Sequence, residues 1–292
     1  MQFVTDSGTD LSLTAAEMAE LNIHVVPLTV TLDEISYQEG LDIQPEAFYR
    51  LQEASDNMPT TSQPSAGELA EVYRELAKSD PEIMSIHISS GLSGTYNAAR
   101  LAAGLVPEAN VIVVDTKTLS AAAGWQVEMA AKAAKVGWSI DRLKTLLEQI
   151  NGASDSIYTL QELKYLIHGG RIGHMKGLIA SVLKIKPIIG VEKEGGTYVQ
   201  LGQVRTFKRA MAGIVDQMAK KHTPGSTLRV QVLHAHNPEA AGTLHQLVDE
   251  RFDCTWLPTQ AISLVLGAHT GPSLVAVAFA PQAVFEKVIN VI

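Results

Sequence analysis

A single cysteine, Cys254, occurs in 292 residues, so no disulfide can close within the chain and a reducing compartment suits it. Aromatic residues are scarce, at 5%, which leaves little for the stacking platforms that hold single-stranded nucleic acid. Cationic excess is missing as well. Lys and Arg number 23 against 31 Asp and Glu, and the formal net charge of -8 speaks against nucleic acid or an anionic membrane as the main partner. The opening residues Met1-Gln2-Phe3-Val4-Thr5-Asp6 lack the basic stretch and long apolar run of a secretion signal. From Cys254 to Phe285 there is no Asp, Glu, Lys or Arg. A membrane span would need ~20 continuous apolar residues, and Pro258 and the run Gly267-Ala268-His269-Thr270-Gly271-Pro272 interrupt this one. The stretch reads as buried core made of a strand, a short helix, a tight loop and a strand. The expectation is a cytoplasmic protein with no nucleic-acid partner, for which transient membrane contact stays open.

Apolar residues make up 46% of the chain and charged residues 18%, enough to build a sizeable core and to exclude global disorder. The length suits one large or two modest domains. The first half alternates strands, expected at 2–5, 23–31, 83–88 and 110–115, with helices expected at 14–21, 45–54, 66–78, 94–105 and 118–136. Thr14-x-x-Glu17 and Ser65-x-x-Glu68 have the form of capping boxes at helix starts. Strand–helix alternation implies a parallel sheet with helices on both faces. The second half opens with a helix at 140–150, a turn at Asn151-Gly152 and a strand at 156–160. A helix at 174–183, a hairpin of 185–191 and 197–204 about Glu194-Gly195-Gly196, and strands at 228–235, 254–259 and 274–279 follow, with helices at 206–221 and 238–250. Hairpin and crossover connections are mixed here. The predicted fold is therefore α/β with two domains. Residues 1–153 form a three-layer α/β/α unit on a parallel sheet, and 154–292 form a mixed sheet with helices on one side.

Ligand-binding loops of parallel sheets lie at the carboxyl ends of the strands. Two segments belong there. Thr60-Thr61-Ser62-Gln63-Pro64-Ser65 precedes a helix. Ser65 serves as the cap, but one cap does not account for Thr61 and Ser62, and free amides at a helix start favour an anion. Ser89-Ser90-Gly91-Leu92-Ser93-Gly94-Thr95-Tyr96 links a strand to a helix. It lacks the lysine of a phosphate loop, and Thr95 stands where a hydrolase elbow needs its last glycine. A non-covalent carboxylate site using Ser93 and a plain tight turn with Ser93 as cap both remain. Asp6 and Asp115 end apolar strands, as loop caps or as metal or phosphoryl groups, with capping favoured because the second acid is misplaced for an aspartyl phosphatase. Arg171 and Arg205 sit at turns, where each either clamps an anion or ties loops together. His234 and His236 share one strand face without a third metal ligand, so no metal site is expected. His269, in the uncharged stretch, can donate to a carboxylate without adding a fixed charge.

These motifs together resemble the DegV family of fatty-acid-binding proteins. The matching pieces are Val4-Thr5-Asp6-Ser7, Thr61-Ser62-Gln63-Pro64-Ser65, Ser89-Ser90-Gly91-Leu92-Ser93-Gly94-Thr95-Tyr96, Asp115-Thr116, Gly169-Gly170-Arg171-Ile172, Lys186-Pro187, Val204-Arg205-Thr206 and Gly267-x-His269-x-Gly271-Pro272, in family order and across almost the whole chain. The resemblance implies a long-chain fatty acid of the palmitate or oleate class held between the two domains, the second domain covering the acyl chain. It implies that Thr61 and Ser93 hold the carboxylate with His269 in the polar network. Ser62, Gly94 and Thr95 would support the head-group loops, and Arg171 and Arg205 would serve partner docking or that network. For many members it also implies a carrier subunit with no catalytic residue and no cofactor, which presents the bound acid to a separate ATP-dependent fatty-acid kinase. Ser273 stands where a second glycine is expected, and 117–123 is less glycine-rich than usual, which leaves chain-length preference open. The competing reading is a stand-alone serine hydrolase using Ser93 or a phosphoryl-transfer enzyme using Asp6.

Overall fold

The structure is a computed structural model that describes residues 1–175 and 185–290. The chain enters through β1 (Gln2–Asp6) and β2 (Ile23–Val26), and a small antiparallel sheet follows from β3 (Thr29–Leu32), β4 (Ile35–Gln38) and β5 (Thr60–Ser62). With β6 (Glu82–His87) and β7 (Asn110–Asp115) the first large sheet is complete, all parallel in the order β2-β1-β6-β7. Its central strands are buried on both faces. Phe3 and Met84 point to one layer, while Val4 and Ile83 point to the other, against helices 66–77 and 95–104. This is the period-2 alternation of a strand with both faces covered.

The helix Ser120–Lys135 covers the Phe3 face. Nearly every residue of its first four turns is buried, because a second sheet packs on its far side. Alanines at 121, 122, 123, 130, 131 and 133 let both sheets approach its backbone. A Cβ at Gly124 would lie 2.5 Å from Thr9 O, so only glycine fits there.

The second sheet comprises β8 (Asp155–Thr159), β9 (Lys186–Val191), β10 (Tyr198–Val204), β11 (Thr227–His234), β12 (Asp253–Trp256), β13 (Gln260–Ala261) and β14 (Val275–Pro281). Its order is β10-β9-β8-β14-β11-β12, with β13 also on β11. β12 and β13 run parallel to β11 and the remaining pairs are antiparallel. Helices 207–221 and 238–249 cover the face bearing Ile157, Val230, Val232, Val275 and Val277. The opposite face, bearing Tyr158, Leu233 and Ala278, looks toward helix 120–135. The expected α/β architecture, a parallel sheet followed by a mixed one with its helices on one side, is what the chain forms.

Three local expectations are corrected. The strand expected at 23–31 is two strands in different sheets, because Pro27 has no N–H for a ladder and the chain turns from β2 to the small sheet there. The loop expected at 60–62 is β5, which aligns Thr61 with Val30. The turn expected at Asn151-Gly152 is the last turn of helix Ile140–Ala153, whose buried Leu143, Leu146, Leu147 and Ile150 outweigh the poor helix propensity of those two residues. The helix expected at 174–183 lies almost wholly outside the described residues. Among the described residues, no helix is long and apolar enough to cross a membrane.

Candidate functional site

Four segments meet where the first sheet's carboxyl ends face the second sheet. β5 supplies Thr61 and Ser62, and the loop after β6 supplies Leu92 and Ser93. Arg171 comes from a 3-10 turn, and His269 from the helix Leu264–Thr270. With Leu28, Gln63, Ile88, Leu119, Tyr198, Val265 and Leu266 they line one pocket. Thr61 Oγ1 and His269 Nε2 are 2.7 Å apart, and the ring's tautomer sets which atom donates. Ser93 Oγ bonds Thr95 Oγ1 at 2.8 Å and accepts from Thr95 N at 3.3 Å. Helix 95–104 thus starts with Gly94 at its cap position and no side-chain cap, leaving Ser93 one residue outside it.

Glycines make this convergence possible. A Cβ at Gly169 would sit 2.1 Å from His269 Nδ1, and one at Gly91 would sit 2.4 Å from Gly195 O. At Gly94 it would meet Gln63 Nε2 at 2.7 Å. Arg171 donates from Nη1 to Gly169 O at 2.6 Å and from Nε to Leu92 O at 3.3 Å, so it ties two of the loops together.

His269 is buried, and its pKa is lowered to about 4, first by that burial and then by the positive charges of Arg171 and His168. It is therefore a neutral ring at pH 7. Nδ1 has no hydrogen-bond partner among the described residues.

A second pocket adjoins the first. They share Leu119, Tyr198 and Leu266 as walls. The second is lined mainly by apolar groups, among them Leu233, Ile262, Leu274, Ala276 and Ala278. Its floor is the inner face of the second sheet, where Ala276 lies opposite Tyr158 and Ala278 opposite Ser156. Small side chains between larger ones leave a trough.

The other candidates stand apart from both cavities. Asp6 accepts from Gly8 N at 3.1 Å, Ile88 N at 3.2 Å and His87 Nδ1 at 2.9 Å, the pattern of a loop cap. Asp115 accepts from Ser90 N at 3.2 Å and Lys117 N at 3.0 Å and so fixes the loop that carries Ser93. Arg205 is exposed beyond the end of β10. His236 stacks on Tyr49, with ring centroids 5.1 Å apart, and His234 Nδ1 accepts from Asn237 N at 3.3 Å. No group of three metal-ligating side chains comes together among the described residues.

Two carboxylates were missed by sequence reasoning. Asp10 accepts from Ser263 N at 2.7 Å and from Ser120 Oγ. Glu39 accepts from Ser7 Oγ at 2.7 Å and from Leu264 N. Both hold the start of the helix that carries His269. Nothing local marks either of them, since Asp10 follows Asp6-Ser7-Gly8-Thr9 and Glu39 stands between Gln38 and Asp42, each in a polar run. Burial pushes the Glu39 carboxyl up to about 7 and Asp10 well above its usual range. A raised folded-state carboxyl inverts the usual dependence: its contribution is fully present below the unfolded value and is lost as pH rises through about 7. Glu39→Gln carries no such term. The stability of the variant relative to the parent should therefore improve by about 2 kcal/mol between about pH 5 and about pH 8, read by urea unfolding at both. Taking the difference cancels the opposing contributions of the buried histidines. A constant gap across that range would show that Glu39 ionises as an ordinary surface carboxylate.

Residues 1–282 match the family model described as "Uncharacterised protein, DegV family". A DegV domain-containing protein of Staphylococcus aureus is 35% identical over 268 residues, covering 92% of this chain and 94% of that one. Two solved structures are similar throughout. One is a fatty-acid-binding DegV family protein from Thermus thermophilus, with TM-score 0.87 and 28% identity over 96% of this chain and 99% of that one. The other is DegV from Bacillus subtilis, a fatty acid binding protein, with TM-score 0.85 and 29% identity over 96% and 99%.

Proposed function

The chain belongs to the DegV family, and from that premise we propose that it binds one long-chain fatty acid and presents it to a separate kinase, which phosphorylates the carboxylate. The observation that carries this reading is the adjacency of two pockets that share Leu119, Tyr198 and Leu266 as walls, one headed by hydroxyls and a neutral imidazole, the next almost wholly apolar.

The head group meets Thr61, Ser93 and His269, with Ser62 beside them and Thr95 holding the Ser93 hydroxyl. A carboxylate buried without partners would lose several kcal/mol. Two hydroxyls, the imidazole and the amides at the start of helix 95–104 offset that loss without a contacting counter-ion. Arg171 reinforces them from its anchorage on Gly169 and Leu92. The acyl chain follows the trough over Ala276 and Ala278. At ~0.8 kcal/mol per methylene, a ~16-carbon tail offers on the order of 10 kcal/mol toward binding. A head group held by neutral donors keeps an oxygen nucleophilic enough to attack a phosphoryl donor. The hydrolase alternative is disfavoured because the site's histidine bonds Thr61, while Ser93 bonds Thr95 and has no base within the hydrogen bonds it makes.

Protein purified without detergent should release about one fatty acid per chain on organic extraction, read by mass spectrometry. Empty protein that also takes up neither palmitate nor oleate would remove the carrier reading.

A further inference from the structure

Along the inner face of the second sheet, buried polar groups fall into two kinds. Gln231 is fully engaged: its Oε1 accepts from Trp125 Nε1 at 3.3 Å, and its Nε2 donates to Ser12 Oγ at 2.6 Å and to Pro258 O at 3.1 Å. Two residues on the same face are not. Tyr158 Oη and Ser156 Oγ are buried with no hydrogen-bond partner among the described residues. Tyr158 is 4% exposed, its ring meets Tyr198 edge to face at 5.4 Å, and the Tyr198 hydroxyl approaches its own without completing a hydrogen bond of normal geometry. Burial holds the phenol protonated, so it remains a donor. Strand alternation puts Ser156 and Tyr158 side by side, opposite Ala278 and Ala276, and all four line the apolar cavity. Buried hydroxyls are nearly always satisfied, and two orphans on one wall of one cavity call for a partner that the protein does not provide.

We infer that Tyr158 and Ser156 form a polar subsite part-way along the acyl channel, which selects chains carrying a hydrogen-bond acceptor at mid-chain. This rests on the fatty-acid reading and names its substrate class. Two groups share the required chemistry: the oxygen of a hydroxyl substituent and the π face of a cis double bond. The oxygen is the better acceptor, and O–H to π contacts are weaker. The site lies past the junction at Leu119, Tyr198 and Leu266, so the acceptor must sit well away from the carboxylate. A saturated chain leaves both hydroxyls unmet.

The test compares the affinities of stearate, oleate and a mid-chain hydroxystearate for the parent, Tyr158→Phe and Ser156→Ala, by isothermal titration of delipidated protein. Tyr158→Phe keeps the ring and its packing on Tyr198. The parent should prefer the hydroxy acid over stearate on the order of fivefold, and oleate over stearate by about twofold. In Tyr158→Phe the preference should vanish through loss of the hydroxy-acid affinity, with stearate bound as well as before. A preference for oleate alone assigns the π source, and one for the hydroxy acid assigns the oxygen source. Identical rankings in parent and both variants overturn the subsite while leaving the carrier reading intact. Failure of all three acids to bind the parent overturns both.

Discussion

Thr61→Val is expected to weaken fatty-acid binding roughly tenfold to a hundredfold while leaving the fold intact, and Ser93→Ala to do the same. Each removes one hydrogen bond to a charged group, worth ~1.5–3 kcal/mol. Valine keeps the threonine's shape in β5, where the side chain is half-buried and its backbone pairs with Val30. The change also releases His269, whose Nε2 loses its 2.7 Å partner, so Thr61→Val should have the larger effect of the two. The double variant should lose less than the sum, because both hydroxyls serve one carboxylate and loop amides or water can take over part of it. A fatty alcohol should respond far less than the acid. Because His269 is neutral from about pH 6 to about pH 8, the parent's affinity should change little across that range. Titration calorimetry with acid and alcohol, alongside unfolding midpoints, reads all of this. Ser93→Ala that abolished an esterase activity and left acid affinity unchanged would replace the carrier with a hydrolase.

Glu128→Ala should destabilise the protein by about 3–5 kcal/mol, the largest stability effect expected of a single polar change. Glu128 on helix 120–135 accepts from Arg229 Nη2 of β11 at 2.8 Å and pairs with Lys132 Nζ at 2.7 Å. Arg229 is 5% exposed, with its guanidinium carbon 5.4 Å from the Trp125 ring centroid and 4.9 Å from that of Phe285. Burial lowers its pKa, and Glu128 opposes that shift. Removing the carboxylate strands a cation between the two sheets. Glu128→Leu combined with Arg229→Met should instead be near neutral, because an apolar pair of similar volume avoids both desolvation terms. Urea unfolding separates the cases. A loss below about 1 kcal/mol in Glu128→Ala would mean that Lys132 and solvent, not Arg229, neutralise Glu128.

Much of this molecule was legible in its residues because the signals are local. The two capping boxes formed as read, Thr14 with Glu17 and Ser65 with Glu68, since a cap depends only on residues three apart. Strand–helix alternation yielded the parallel sheet, and the middle of the uncharged run, 262–271 about the helix Leu264–Thr270, is buried core, while 254–261 are half-buried or exposed, contrary to expectation, because β12 lies at the edge of the second sheet. The Thr61 and Ser93 segments stood out because they hold more hydroxyls and glycines than capping requires.

What the sequence could not decide depended on partners distant along the chain. Nothing in Asn151-Gly152 says that four neighbouring side chains will be buried and carry the helix through them. Thr60–Ser62 is a strand only because β3, some thirty residues earlier, offers it a ladder. Glu39 reaches Leu264 N across 225 positions. The Thr61–His269 bond spans 208, and the glycine at 169 matters only because His269 packs on it. By itself the sequence determined which residues were candidates and where most helices and strands of the two large sheets lie, because propensity, capping and hydrophobic period act over a few residues. Only the tertiary structure decided that Thr61, Ser93, Arg171 and His269 line one pocket, and that an apolar pocket over Ala276 and Ala278 adjoins it. That convergence arises from two sheets closing on one alanine-rich helix.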